Sequence, residues 1–147
     1  MKIIKPLIVL FLAAFTLNSC NNGDPDTVGP TTEITNITEG QEFKFGENLV
    51  MHFRFTDQTG MNRYEYEIYA KDYTPESFAP DKKYIEKEGH YTELSEFRAM
   101  LLPEKSATEN YQEGEYLIEV TAADILGNIS TYYKTINIVY PEDEAED

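Results

Sequence analysis

Two short turns carry the residues best suited to holding an ion. Asp57-Gln58-Thr59-Gly60 runs up to Asn62, and Asp124-Ile125-Leu126-Gly127 runs up to Asn128. Calcium takes six to eight oxygens from carboxylates, amides and carbonyls. Asp57, Asp124, Asn62 and Asn128 are therefore candidate calcium ligands wherever the fold brings the two turns together. The same residues have a plainer use. Aspartate accepts backbone N–H groups in tight turns, and Gly127-Asn128 suits a positive φ. The spacing after Asp57 does not fit an EF-hand loop.

A second set is aromatic. Tyr73, Phe78, Tyr84 and Tyr91 fall between Asp72 and Thr92, among Pro75, Pro80, Lys82, Lys83 and Gly89. Exposed rings on a loop can stack on sugars or anchor a protein partner. Rings that fold back cover an open end of a core instead. Trp is absent from the chain, which weakens a carbohydrate platform.

Catalysis finds little to work with. His90 stands near Glu86, Glu88 and Glu93, but no His-Glu-x-x-His spacing exists. There is no Gly-x-Ser-x-Gly elbow and no phosphate-binding glycine loop. His52 lies in an alternating run, out of phase with Phe53, and reads as a solvent-facing strand residue. The expectation is a protein that is not an enzyme.

The elements that must position these residues read as strands. Leu49, Met51, Phe53 and Phe55 alternate with Val50, His52, Arg54 and Thr56. Tyr64, Tyr66, Ile68 and Ala70 follow the same period, as do Phe97, Ala99 and Leu101. Tyr116, Ile118, Val120 and Ala122 repeat it, and Lys134, Ile136, Ile138 and Tyr140 close the series. A period of two suits a strand with one face on a core and one on water. Asp57–Gly60 and Asp124–Asn128 both read as hairpin turns. Short strands with turn signals and no amphipathic helix predict an all-β fold, a single antiparallel sandwich of about seven strands.

Composition bounds the partners. The formal charge is −15, and becomes −17 once Lys2 and Lys5 are removed with the leader described next. Phosphate binding needs clustered Lys and Arg, so nucleic acid is excluded as a partner. Such a charge also disfavours lying flat on an anionic bilayer and favours solubility. The only cysteine is Cys20, so no disulfide can form within one chain.

The first twenty residues read as a sorting signal. Lys2 and Lys5 precede an apolar run from Pro6 to Leu17, too short for a stable span. The run ends in Leu17-Asn18-Ser19-Cys20, which resembles the lipobox of bacterial lipoproteins. The resemblance implies cleavage after residue 19, diacylglycerol on the Cys20 sulfur and an acyl chain on its amine. Two or more chains hold a protein stably at a bilayer. The lipid bilayer is thus an expected partner, through acylated Cys20, in the outer membrane of the cell envelope. Residues 20–30 lack a packable apolar face and read as a tether reaching about 30 Å if extended. Asp26-Thr27-Val28 resembles a short O-glycosylation motif of some Gram-negative lineages, which nominates Thr27. The tail, 142–147, is almost all acidic and reads as frayed.

Gly114-Glu115-Tyr116-Leu117-Ile118-Glu119-Val120, then Ala122-Ala123-Asp124 and Gly127-Asn128, resembles the penultimate strand, turn and last strand of bacterial Ig-like and cadherin-like domains. Phe53-Arg54-Phe55-Thr56-Asp57 and Gly60-Met61 resemble their second strand and the turn into the third. The stretch 31–141 resembles small Ig-like lipoproteins of Gram-negative bacteria. The resemblance implies an immunoglobulin-like β-sandwich, with Tyr116 as a corner tyrosine whose hydroxyl ties back to nearby backbone. It would also place Asp57 and Asp124 at one pole. The expected role is a binding or structural module with an envelope protein as partner. The alternative is a glycan-binding accessory protein using the aromatic segment.

Overall fold

The structure is a computed structural model that describes residues 25–104 and 111–142. Six strands follow one another: β1 (Thr31–Ile34), β2 (Gln41–Lys44), β3 (Asn48–Ala70), β4 (Lys83–Leu101), β5 (Gly114–Asp124) and β6 (Ile129–Val139). The leader, Cys20 and most of the acidic tail lie outside the described residues.

β3 explains the architecture. At 23 residues it is far longer than an ordinary strand. Nine residue steps lead from Phe55 to Tyr64, which would span about 30 Å if straight. Their rings instead lie 4.6 Å apart, and Phe53 lies 5.3 Å from Tyr66. The strand therefore folds over, and its two halves face each other. The first half pairs with β1 and with the second half of β4. The second half pairs with β5 and with the first half of β4. β6 joins β5, and β2 joins β6 in the one parallel pairing among the described strands. The result is an all-β, immunoglobulin-like sandwich whose two layers share β3 and β4.

The core lies between the layers. Leu49, Met51, Phe53 and Phe55 from one layer meet Tyr64, Ile68, Tyr116, Ile118, Val120 and Ile136 from the other, all essentially fully buried. Full burial of each such side chain contributes about 1.5–3 kcal/mol. No cysteine bridge assists, so apolar contact holds the layers. Tyr116 adds a directional tie. Its hydroxyl donates to the Gln112 carbonyl at 2.6 Å and accepts from the Phe78 amide at 3.3 Å.

Two readings from sequence need correction. Asp57–Gly60 is not a hairpin turn but the corner where β3 leaves one layer for the other. The ladder with β4 breaks between Thr56 and Met61, and Gly60 takes a φ of 95°. Asp57 Oδ1 replaces the lost ladder bonds by accepting from Thr59 N at 3.0 Å and Gly60 N at 2.7 Å. Asp124–Asn128 is a true hairpin between β5 and β6.

The second correction concerns the phase of β4. Phe97 is 66% exposed and Leu101 61%, so they face out, not in. The inward positions belong to Leu94, Glu96, Arg98 and Met100. Polar residues can face in because they satisfy one another. Tyr64 Oη donates to Glu96 Oε2 at 2.5 Å, Arg98 Nε donates to Tyr64 Oη at 2.9 Å, and Arg98 also bonds Glu96 at 2.6 Å. Lys87 pairs with the other Glu96 oxygen. Outside, Phe97 stacks on the His52 ring at 4.1 Å, and His52 does lie on the outer face.

Candidate functional site

The corner of β3 and the β5–β6 hairpin meet at one pole. A third aspartate joins them there. Oxygens of Asp26, Asp57 and Asp124 all lie within 4.8 Å of one another. Among the described residues this is the one group of acidic, histidine or cysteine side chains close enough to share an ion. Asp26 comes from the stretch that reads as a tether, and sequence offered no signal for it beyond its charge.

Local hydrogen bonding explains the cluster. Asp124 is 3% exposed, sealed by its own hairpin rather than by depth. Its Oδ1 accepts from Leu126 N at 2.9 Å and Asn128 N at 2.7 Å, and its Oδ2 accepts from Asn128 Nδ2 at 2.7 Å. Asn128 Nδ2 also donates to the Asp26 carbonyl at 2.9 Å. The Thr59 hydroxyl sits between all three carboxylates, 3.0 Å from Asp57, 3.3 Å from Asp26 and 3.5 Å from Asp124. Its single proton can serve one of them at a time. Burial works to raise the Asp124 pKa, but the bonds from Asn128, Leu126 and Gly127 outweigh it and hold the carboxyl below the ordinary value.

Of the four calcium candidates, Asp57 and Asp124 come together as expected at one pole. Asn128 reaches them, but with its amide N–H₂ rather than the oxygen a cation needs. Asn62 lines a neighbouring recess with Arg63, Glu86 and His90 and contributes no bond to the cluster. The arrangement is that of paired turn caps whose carboxylate oxygens are largely engaged by N–H and O–H donors.

The segment Asp26–Pro30 is part of this pole. Pro30 is buried, and the Ser130 hydroxyl bonds its carbonyl. A Cβ on Gly29 would stand 2.6 Å from the Ile129 carbonyl carbon, so only glycine fits there. Thr27, the glycosylation candidate, is exposed.

The four aromatics of the middle segment do not share a loop. Phe78 packs edge-on against Phe45 at 6.5 Å and Tyr111 at 5.6 Å, closing the opposite pole. Tyr73 is an exposed loop residue, whereas Tyr84 and Tyr91 lie on β4. The loop reading failed because Lys83–Glu86 and Tyr91 pair with the second half of β3.

Register places Tyr84 on the outer face of the second layer. Across that face run Tyr84, Glu65, Thr121 and Thr131 in one row. The next row holds Glu67, Glu119 and Tyr133, and the row beyond it Tyr69 and Leu117. Tyr84 is 58% exposed and Tyr133 54%. Lys82 pairs with Glu65 and Glu67 at 3.2 and 3.1 Å. Tyr69 Oη donates to Glu119 at 2.9 Å. Burial and that carboxylate push the Tyr69 phenol up to about 12. A recess of about 140 Å³ opens among Arg63, Glu65, Tyr84, Thr121 and Ile129.

No family model and no curated protein matches the sequence. Among solved structures the chain is similar to the fibronectin(III)-like modules of Clostridium thermocellum CbhA, at 16% identity over 82% of this chain and 50% of that one, with a TM-score of 0.46. Murine CRIg is similar at 12% identity over 77% of this chain and 98% of that one, TM-score 0.43. A chitin binding domain from Burkholderia pseudomallei is similar at 9% identity over 70% and 57%, TM-score 0.42. The chain thus spans half the length of the first of these.

Proposed function

We propose that this chain is a non-catalytic binding module held at the cell envelope by acylated Cys20, with a protein of that envelope as its partner. The observation that carries the binding role is the outer face of the second layer. Tyr84 and Ile129 are exposed at the rim of a recess that holds Arg63, and Tyr133 is exposed in the next row of the same face. Exposed aromatics beside an arginine are the residue types that dominate interface energies. Nothing in the fold needs them outside, because the core is complete without them.

The test is site-specific photocrosslinking in cells. A photoreactive residue at Tyr84 or Tyr133 should trap one adduct of defined mass, and the same residue at Glu33 on the other layer should not. Tyr84→Ala with Tyr133→Ala should abolish a Thr131 adduct while leaving the melting temperature unchanged. Equal trapping from both layers would defeat the proposal.

A glycan is the second reading. The same face combines stackable rings with carboxylates and threonine hydroxyls, which bond sugar hydroxyls. It moves the glycan site from the middle segment to the sheet. Retention on envelope polysaccharide that disappears with Tyr84→Ala would establish it. Unchanged retention in that variant would dismiss it.

A further inference from the structure

We infer that the pole bearing Asp26, Asp57 and Asp124 is the membrane-proximal end of the domain and that the pole around Phe45 and Phe78 is its outer end. The inference rests on the reading of Cys20 as the lipid anchor. What it adds comes from where the folded part of the chain begins.

Asp26 is already fixed to the domain. Its carbonyl accepts from Asn128 Nδ2, its carboxylate from Thr59, and its Oδ1 caps Val28 N at 3.0 Å. Gly29 is pressed onto the Ile129 backbone, and Pro30 is buried beside it. These contacts consume half of the tether that sequence suggested. Only six residue steps remain between Cys20 and Asp26. A fully extended chain covers at most about 3.5 Å per residue, so Asp26 lies within roughly 20 Å of the acylated sulfur.

The other pole is much farther out. The second half of β3 runs from Met61, at the corner, to Ala70. Nine residue steps of strand add about 30 Å. Tipping the domain onto its side would press an acidic body, −17 without the leader, onto lipid headgroups. With anionic lipid present, like charge opposes that arrangement. The short leash, rather than charge, keeps this pole nearest the bilayer, and the sheet faces and far pole are left for a partner.

The experiment uses the acylated chain in vesicles of phosphatidylethanolamine and phosphatidylglycerol with spin-labelled headgroups. Cys20 is acylated and is the only cysteine, so one introduced thiol can carry a fluorophore. Leu126→Cys places it at the tip of the β5–β6 hairpin, and Tyr73→Cys at the far pole, both exposed positions. Headgroup quenching should be several-fold stronger at Leu126 than at Tyr73. Ten Gly/Ser residues inserted after Asn22 should weaken the Leu126 signal. Equal quenching at both sites, or stronger quenching at Tyr73, in protein that floats with the vesicles overturns the orientation alone. Protein that does not float overturns the anchor and the orientation with it.

Discussion

Replacing Asp124 by Asn pits two electrostatic effects of opposite sign against each other. The Asp124 carboxylate shares a 4.8 Å neighbourhood with Asp26 and Asp57. Removing its charge relieves two repulsions, each worth about 1 kcal/mol in water and about 3.5 kcal/mol at an effective dielectric of 20. The same change weakens three hydrogen bonds of 2.7–2.9 Å, from Leu126 N, Asn128 N and Asn128 Nδ2. A bond to a charged acceptor contributes roughly 1.5–3 kcal/mol. Asparagine would also turn an N–H₂ toward the N–H₂ of Asn128, donor against donor. The bonds from Asn128, Leu126 and Gly127 hold the Asp124 carboxyl below its ordinary value despite burial, and we expect their loss to outweigh the relief of repulsion.

Asp124→Asn should therefore destabilise by about 2 kcal/mol, and Asp124→Ala by more, because it orphans two backbone amides. For a domain of this size that is a fall of roughly 10 °C in melting temperature. Circular dichroism melts at pH 7 read it directly. Because the folded pKa is depressed, this stability is present above the ordinary carboxylate value. It is lost as pH falls through the folded value, so wild type and variant should converge in acid. The reasoning is refuted if Asp124→Asn melts at or above wild type. A calcium-dependent rise in the wild-type melting temperature that Asp124→Asn erases would refute it too, because repulsion relieved by a cation would then dominate.

Tyr64→Phe should cost about 1–2 kcal/mol in urea unfolding, because Arg98 and Glu96 lose the hydroxyl between them inside the sandwich edge. Gly29→Ala should cost about 1–3 kcal/mol, as any Cβ there meets the Ile129 backbone, and limited proteolysis should then cut near Asp26. Absorbance titration of the folded protein should leave Tyr64, Tyr66, Tyr69 and Tyr116 un-ionised at the ordinary tyrosine value, because burial raises all four. Their neutral forms stabilise the fold below the ordinary tyrosine value. That stability is lost as pH rises through the folded values, so alkaline unfolding should release these four phenols together.

Most of the fold was legible because apolar alternation is a local signal. Leu49 to Phe55, Tyr64 to Ala70 and Tyr116 to Ala122 point inward as their period requires. The Tyr116 tie was implied by the resemblance of Gly114–Val120 to the penultimate strand of Ig-like domains, and its hydroxyl does bond the Gln112 carbonyl. β4 was misread because its inward face is polar, and Glu96 and Arg98 gain their licence from Tyr64, some thirty residues away. No window along the chain contains that pairing. The pole was half legible. Asp57 and Asp124 announce themselves as turn residues, but Asp26 owes its position to Asn128, at the far end of the sequence. The outer-face rows of Tyr84 and Tyr133 emerge only once register is known.

The β2–β6 pairing has a consequence for how the chain comes to be folded. Gln41 pairs with Ile136 and Lys44 with Val139, so an early edge strand waits for the last strand of the chain. Contacts of such long sequence separation carry a large loop-closure entropy and slow folding toward milliseconds to seconds. Until they form, β6 presents an unpaired edge, with Ile136 and Ile138 beside it. Lys134 and Asn137 on that strand discourage another chain from pairing there. Gly/Ser residues inserted between β4 and β5, inside that separation, should slow this step further in stopped-flow refolding.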